Sequence, residues 1–188
     1  MNIIKNFPLL LLIFAASCSP IVTREEPAPL ATAVPSLVTQ VDIDFAQAFA
    51  NDVFTKDEWK SEITLHNDRV MRTWNKNNSS NLAYLDYRIY PEGYTQADLD
   101  YYYSDETFKD VLFTYYDDLN MLAQCEQGSL TLYQFSAGYM ETPYFIYDWV
   151  NTSNPKRIAE VSIIFSQDDQ ADLERYAKEV FPSLPNCE

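Results

Sequence analysis

Glycine is scarce in this 188-residue chain, which contains only three glycines. Phosphate-binding loops need glycines where the backbone approaches the ligand, and neither a GxxxxGK nor a GxGxxG pattern occurs. Basic residues are also few, since 13 Lys and Arg stand against 28 Asp and Glu and give a net charge of −15. The basic surface that neutralises nucleic-acid phosphates is therefore missing. We expect neither nucleotide-dependent chemistry nor a nucleic-acid partner.

Histidine occurs once, as His66, so a zinc site with two histidines is excluded and any Ser-His-Asp or Cys-His machinery would have to use that residue. A single His beside a turn is more often a solvated surface residue. Ser153 and Lys156 match S-x-x-K, but Pro155 stands between them in a predicted turn and no S-D-N or K-T-G accompanies them. We therefore expect no metal site and no cofactor, and we favour a protein that is not an enzyme.

The start of the chain has the character of a secretory signal peptide. An opening whose one charged side chain is Lys5 is followed by an apolar run over 7–16. That run is too short for a stable transmembrane anchor, which needs about 20 residues, but it suits the apolar region of a signal. We assign residues 1–17 to a signal peptide and leave them out of the fold.

The end of this segment reads Ala15-Ala16-Ser17-Cys18. Small residues before a cysteine resemble the lipobox of bacterial lipoprotein precursors, although Ala15 stands where Leu is commonest in that family. The resemblance implies that the Cys18 thiol is acylated and that Cys18 becomes the mature N-terminus. Cleavage by an ordinary signal peptidase at the same bond also fits, because Ala-x-Ser satisfies its small-residue rule.

Cysteine arithmetic agrees with the lipoprotein resemblance. Three cysteines in an exported protein leave one over, unless Cys18 is acylated and Cys125 pairs with Cys187. Two acyl chains on Cys18 are what stable membrane anchoring takes. Ser19 follows at the position where Asp is the family's inner-membrane retention signal, so the resemblance favours an outer membrane where the cell has one. We expect a protein tethered to the membrane at the extracytoplasmic face of the cell envelope.

Residues 18–40 are expected to form the lipidated cysteine and a tether. The segment is rich in Pro, Ala, Thr, Ser and Val and has no apolar periodicity. Proline-rich segments favour extended polyproline II and cannot bury enough surface to fold. Residues 41–188 have the length of one domain, and the chain's 47% hydrophobic and 15% aromatic residues are ample for its core.

Hydrophobic periodicity predicts an α+β domain. Helical spacing is present over 43–54, and a polar turn at Asn67-Asp68 joins two alternating segments into a hairpin. Cap and staple patterns predict a short helix after Thr95 and a longer one from Ser104 to about Cys125. The predicted strands are 60–66, 69–75, 82–90, 130–136, 144–150 and 157–165, and a last helix starts at Asp168 or Asp169. The order αβββ-ααβββα favours a mainly antiparallel sheet of about six strands packed by helices.

An acidic and aromatic segment spans 98–118, with seven carboxylates against one Lys and tyrosines between them. Such a segment suits a calcium or cationic-ligand surface, or a carboxylate pair for glycoside hydrolysis, but it equally suits a solvated helix face. An EF-hand loop starting at Asp98 is excluded, because Tyr103 and Lys109 stand where Gly and Glu are needed. The candidate binding surface comprises Tyr101, Tyr102, Tyr103, Asp98 and Asp100.

Three functions follow from these features. The first is a lipid-anchored, non-catalytic binding or envelope-assembly module that recognises an envelope protein or polymer through tyrosines, which present area and a hydroxyl at low entropic cost. The second is an envelope hydrolase that cleaves a polysaccharide with two carboxylates of the acidic segment. The third is a purely structural envelope component. The first two differ in whether the fold brings two of those acids together in a cleft with tyrosines.

Overall fold

The computed structural model describes residues 36–57 and 59–187, and all of them belong to one compact unit. The predicted signal peptide, Cys18 and most of the predicted tether lie outside the described residues. Within the described part of the chain, no helix is both long enough and apolar enough to cross a membrane.

One antiparallel sheet with helices against it forms the domain. The seven strands of the described residues are β1 (Trp59–Leu65), β2 (Arg69–Lys76), β3 (Leu82–Ile89), β4 (Asp117–Gln127), β5 (Leu130–Tyr139), β6 (Thr142–Asn154) and β7 (Arg157–Ser166). The helices are α1 (Gln40–Ala48), α2 (Asn51–Phe54), α3 (Gln96–Tyr102), α4 (Asp105–Thr107), which continues as a π-helical segment over Phe108–Leu112, and α5 (Gln170–Val180). The predicted α+β class is confirmed, but the sheet has one strand more than the six or so expected.

The strand order is β1-β2-β3-β7-β6-β5-β4, and every neighbouring pair is antiparallel. Two meanders, β1 to β3 and β4 to β7, therefore meet where β3 pairs with β7 in the middle of the sheet. Successive side chains of a strand point to opposite faces. In β7, Val161 and Ile163 belong to one hydrophobic cluster, whereas Ile158 and Ile164 belong to another. The sheet thus has a core on each face.

The first face is the side of the sheet covered by α1, α2 and α5. Phe54 of α2 stacks on Trp74 of β2 and on Tyr176 of α5, with ring centroids 4.8 and 5.4 Å apart. Leu173, Tyr176 and Ala177 are the buried residues of α5, at the spacing of one helical face. This core is therefore mainly aromatic and aliphatic.

The helix predicted over 43–54 is interrupted. Ala50 adopts a left-handed φ of 48° between α1 and α2. The buried Arg72 guanidinium donates to the carbonyl oxygens of Ala46 and Gln47 at 3.0 and 2.5 Å. The last carbonyls of a helix have no partner within the helix, so Arg72 caps the end of α1.

The second face is the side covered by α3, α4 and the π-helical segment. Phe108 and Phe113 pack against Phe135 of β5, with ring centroids 4.8 and 5.6 Å apart. The elements on this side are short, and the polar and aromatic cavities described below open around them. The second face therefore carries the candidate sites.

The long helix predicted over 104–125 is wrong. Helical structure ends at Leu112, and Asp117–Gln127 forms the edge strand β4, which pairs with β5. Apolar residues occur at helical spacing in this segment, but over 119–125 every second residue is apolar as well. The side chains of the alternating set are half-buried in the structure. Pairing with β5 favours the alternating pattern. This strand accounts for the difference from the predicted element order.

Strand β4 has a β-bulge between Met121 and Ala123, where its pairing with β5 shifts by one residue. Because of this shift, every second side chain of β4 points to one face of the sheet before the bulge and to the other face after it. Before the bulge, Met121 packs against the second-face core, whereas after it Cys125 packs against the first-face core. There Cys125 forms a disulfide with Cys187, with the two Cα atoms 5.6 Å apart. The predicted pairing is confirmed, and the bond ties an edge strand to the C-terminal tail.

Candidate functional site

Charged side chains lie buried between the sheet and the short helices of the second face. Asp86 and Arg88 come from β3, Glu160 and Ser162 from β7 and Asp148 from β6, and all are at most 4% exposed. The register places Asp86 opposite Glu160 and Ser162 opposite Asp148. Because opposed residues share a face, the three strands bring these side chains into one cluster, which we call the buried charge network.

Arg88 is the centre of the buried charge network. Its Nε lies 2.9 Å from Asp86 Oδ2, and its Nη2 lies 3.0 Å from Glu160 Oε2. The Tyr103 hydroxyl donates to the same Glu160 oxygen at 3.1 Å. Arg69, which lies opposite Arg88 on β2, also reaches Asp86 Oδ2 at 3.1 Å. Asp86 therefore offsets the repulsion between two facing guanidinium groups.

The network contains carboxyl oxygens that the protein leaves unpaired. Ser162 donates to Asp148 Oδ1, whereas Asp148 Oδ2, Asp86 Oδ1 and Glu160 Oε1 have no hydrogen-bond partner among the described residues. Burial, together with the charge of Glu160, raises the pKa of Asp148 well above its usual range. Burial also raises the pKa of Glu160, although Arg88 opposes the shift. A protonated Asp148 avoids an unpaired charge in the interior.

A polar groove opens beside this network. It has a volume of about 350 Å³ and lies between α3 and the outer strands β4, β5 and β6. Two tyrosines, Tyr103 and Tyr133, line it, with ring centroids 6.2 Å apart and ring planes 16° from parallel. Its hydrogen-bonding side chains are Gln96, Asp100, Gln124, Glu126, Thr131 and Thr152.

One row of opposed residues connects the polar groove to the buried charge network. Glu126 lies opposite Thr131, Thr131 opposite Val150, and Val150 opposite Glu160. Directly opposed residues have Cβ atoms about 5 Å apart. Tyr103 joins the two sites as well, because it lines the groove while its hydroxyl donates to Glu160. The groove and the buried carboxyls are therefore neighbours.

The five residues of the predicted binding surface have different environments. Tyr101 is 67% exposed, whereas the half-buried Tyr102 lies with its ring centroid 4.7 Å from the Arg88 guanidinium. Tyr103 is part of the buried charge network and, with Asp100, lines the polar groove. Asp98 closes the capping box at the start of α3, where hydrogen bonds lower its pKa. The structure therefore brings Asp100 and Tyr103 together at one site.

The other sequence candidates do not assemble there. His66, Ser153 and Lys156 are exposed and do not line the polar groove. Of the described carboxylates over 98–118, Asp100 alone lines it. Within residues 36–57 and 59–187, no three His, Cys, Asp or Glu side chains are grouped so that they could hold a metal ion.

Sequence reasoning missed Tyr133, Glu126 and the buried charge network. Glu160 and Asp148 occupy alternate positions of apolar strands, which is also the pattern of an ordinary solvated face. One sequence signal could have indicated this burial. Ile158 and Ile164 stand at even spacing from Glu160, so the face of β7 that carries the acid also carries apolar residues. That pattern is typical of a strand covered on both faces.

No model of a known protein family matches this chain, and no curated protein sequence matches it.

Proposed function

We propose that this protein is a non-catalytic binding module, held by a lipid anchor at the extracytoplasmic face of the cell envelope, whose polar groove binds a hydroxyl-rich envelope polymer. One observation carries this proposal. The groove joins two tyrosine rings to amide, hydroxyl and carboxylate side chains within about 350 Å³.

The lining suits a polymer of sugars. Tyr103 is half-buried and Tyr133 is 8% exposed, so the two rings add a small apolar area to a lining that is mainly hydrogen-bonding, and their hydroxyls stay polar. Gln124 and Gln96 can both donate and accept hydrogen bonds, and Asp100 accepts them from sugar hydroxyls. A few placed polar groups around an aromatic surface are typical of ligand sites.

The position of the acids favours binding over hydrolysis. A glycoside hydrolase needs a carboxylic acid of raised pKa in contact with the scissile bond. The carboxyls of raised pKa, Asp148 and Glu160, are 0% exposed and come from strands rather than from the acidic segment. Asp100 from α3 and Glu126 from β4 are the carboxylates among the described lining residues, and of these two only Asp100 belongs to the acidic segment. A polysaccharide hydrolase remains the second candidate and an outcome of the test below.

Export and lipid attachment rest on the cysteines. Disulfides persist in oxidising compartments, so the Cys125–Cys187 bond supports an extracytoplasmic domain. Cys18 is then the one cysteine left for acylation, next to the small residues that resemble a lipobox. The structure packs residues 37–40, the end of the predicted tether, onto the domain, and the proline-rich residues 19–35 would hold the domain away from the membrane surface. We place the anchor in the outer membrane where the cell has one.

Co-sedimentation with purified peptidoglycan tests the groove. We expect the wild-type protein to sediment with the polymer and the double variant Gln124→Ala, Glu126→Gln to bind at least about ten-fold more weakly, because it loses the Gln124 amide and the charged acceptor at Glu126. Glu62→Gln is the matched control, since Glu62 is an exposed acid on the opposite edge strand β1. Equal sedimentation of the double variant would contradict this binding site. Release of reducing ends by the wild type would instead establish the hydrolase.

Incorporation of labelled palmitate tests the anchor. We expect Cys18→Ala to abolish the label and to move the protein out of the detergent phase, because the variant has no thiol to acylate. Labelling of Cys18→Ala at the wild-type level would refute the lipoprotein proposal and leave the groove proposal untouched.

A further inference from the structure

A second cavity, the aromatic pocket, opens on the second face and shares no lining residue with the polar groove. It has a volume of about 240 Å³. Leu82 and Ile164 are its aliphatic lining residues. Its rings are those of Tyr84, Phe113, Tyr115, Tyr116 and Tyr139.

The rings of the aromatic pocket stand at steep angles to one another. Tyr116 lies in the middle, 6.3 Å from Phe113 and 6.0 Å from Tyr139 between ring centroids, with interplanar angles of 73° and 58°. Behind it, Tyr144 makes a third such contact at 5.8 Å and 71°. At these angles the rings make edge or tilted contacts with one another instead of forming one flat stack. The faces of aromatic rings carry negative potential, so a ring face turned toward the pocket attracts a cation.

Two of these tyrosines stay accessible. Tyr115 is 82% exposed and Tyr139 is 39% exposed. Burying an aromatic ring is favourable, and Tyr115 contributes little of that gain to the fold while Tyr139 contributes only part of it. They are available to a ligand that enters the pocket.

The charges around the pocket favour a positive ligand. Tyr116 is followed by Asp117 and Asp118, and Tyr139 is followed two residues later by Glu141, all of them exposed. No lining residue is a Lys or an Arg. Burial and the neighbouring Tyr144 and Tyr139 raise the pKa of Tyr116 to about 12, so its ring is a neutral phenol at pH 7. With a chain charge of −15, the surroundings attract cations and repel anions.

We propose that the aromatic pocket binds a quaternary ammonium group, such as the trimethylammonium of a choline-type ligand. A primary ammonium is strongly hydrated, and the lining offers no carboxylate to replace its water. A quaternary ammonium has no N–H to satisfy and presents methyl groups that pack on the rings of Tyr116 and Tyr139. Its positive charge gains the cation–π attraction that a neutral apolar group lacks.

Calorimetric titration of the full-length protein in a non-ionic detergent tests the charge. Choline is compared with 3,3-dimethyl-1-butanol, the uncharged carbon analogue of the same shape. We expect choline to bind about ten-fold more tightly than the neutral analogue. Equal affinities would overturn the proposal and leave an ordinary apolar pocket, and the absence of choline binding would overturn it as well.

Two variants test the location. Tyr139→Leu keeps an apolar side chain but removes a ring, and we expect it to weaken choline binding about ten-fold while the neutral analogue changes little. Tyr101→Leu is the control, because Tyr101 is an accessible tyrosine outside the pocket. A cooperative urea unfolding transition of Tyr139→Leu shows that it is folded. Unchanged choline affinity in that folded variant would refute the site.

A phosphocholine arm separates two sources of the same cation. We expect phosphocholine to bind more weakly than choline, because its phosphate meets Asp117, Asp118 and Glu141. That order identifies a free choline-type cation as the ligand. Tighter binding of phosphocholine would identify a headgroup, with the same quaternary ammonium in the pocket.

Discussion

The first face of the sheet is filled by rings and aliphatic side chains, whereas the second face is filled in part by charged ones. Phe54 and Tyr176 stack within 10° of parallel on the first face. Asp148 and Glu160 are fully buried on the second. The helices differ as well, since α1 and α5 have nine and eleven residues and α3 and α4 have seven and three. The first face supplies stability. The second face contains buried charged side chains and also carries the two candidate sites.

The carboxyls of the two faces also respond differently to their surroundings. Burial would raise the pKa of Asp42, but hydrogen bonds from Arg157 and from the Thr39 cap lower it on balance. The pKa of Asp148 is raised instead, because burial dominates and, among the described residues, Ser162 alone donates a hydrogen bond to its side chain. Stability should therefore depend on pH with opposite sign on the two faces.

The largest expected effect comes from breaking either core. Arg88→Leu leaves the buried Glu160 without its cation and Asp86 with Arg69 alone, and it should cost about 3–5 kcal/mol at pH 7. Phe54→Ala removes a ring that contacts Trp59, Trp74 and Tyr176 and should cost a similar amount, about 3–5 kcal/mol. Urea unfolding at pH 7 and pH 5 separates them, because protonation of the carboxyls relieves Arg88→Leu only. The same loss at both pH values in Arg88→Leu would contradict a charged network.

Removal of the disulfide should have the next largest effect. Cys125 and Cys187 are 62 residues apart, and closing such a loop stabilises the fold by about 4 kcal/mol in the chain-entropy model. The double variant Cys125→Ser, Cys187→Ser should lose that amount in urea unfolding. It should also expose β4 amides to hydrogen exchange before those of β7, because β4 is the edge strand that the bond holds. Two reactive thiols in the unreduced wild-type protein would rule the bond out.

The pH dependence of the free energy of unfolding is expected to be a smaller effect, about 1.4 kcal/mol for each unit by which folding shifts a pKa. Unfolded Asp titrates near pH 3.9, so the raised pKa of Asp148 contributes stability at low pH that is lost as pH rises above about 4. The lowered pKa of Asp42 contributes stability above about pH 4 that is lost as pH falls through the folded value. Asp148→Asn should reduce the loss of stability that accompanies a rise in pH from 4 to 7. Asp42→Asn should reduce the loss of stability that accompanies a fall in pH below 4. Denaturation midpoints across this range check both, and equal slopes in both variants would contradict the assignment.

The sequence predicted the strands in which apolar residues alternate regularly. The prediction failed where apolar residues fit both the strand period and the helix period. The segments over 82–90 and 157–165 are β3 and β7 within a residue, because one apolar side chain in two enters a core. The helix over 104–125 was wrong, since its residues satisfy both periods and only pairing with β5 selects the strand. The buried carboxyls stayed hidden because their burial depends on α3 and α4, which are distant in sequence from β6 and β7.

The smallest effects are expected at the three consecutive tyrosines, Tyr101, Tyr102 and Tyr103. Helix α3 ends at Tyr102, so the three side chains lie in different surroundings. Tyr103→Phe should cost about 0.5–1.5 kcal/mol, because it removes one hydrogen bond to a Glu160 oxygen that keeps Arg88 as a partner. Tyr101→Ser should change stability by no more than about 0.5 kcal/mol, since an exposed side chain is replaced. Urea unfolding measures both.

Peptidoglycan sedimentation then separates binding from stability at the same two tyrosines. We expect Tyr103→Ser to weaken sedimentation, because that ring lines the polar groove, and Tyr101→Ser to leave it unchanged. A strong loss of sedimentation in Tyr101→Ser with intact stability would move the binding surface to the outer side of α3, where the whole tyrosine run was first expected to act. A severe loss of stability in Tyr101→Ser would show instead that its ring belongs to the second-face core.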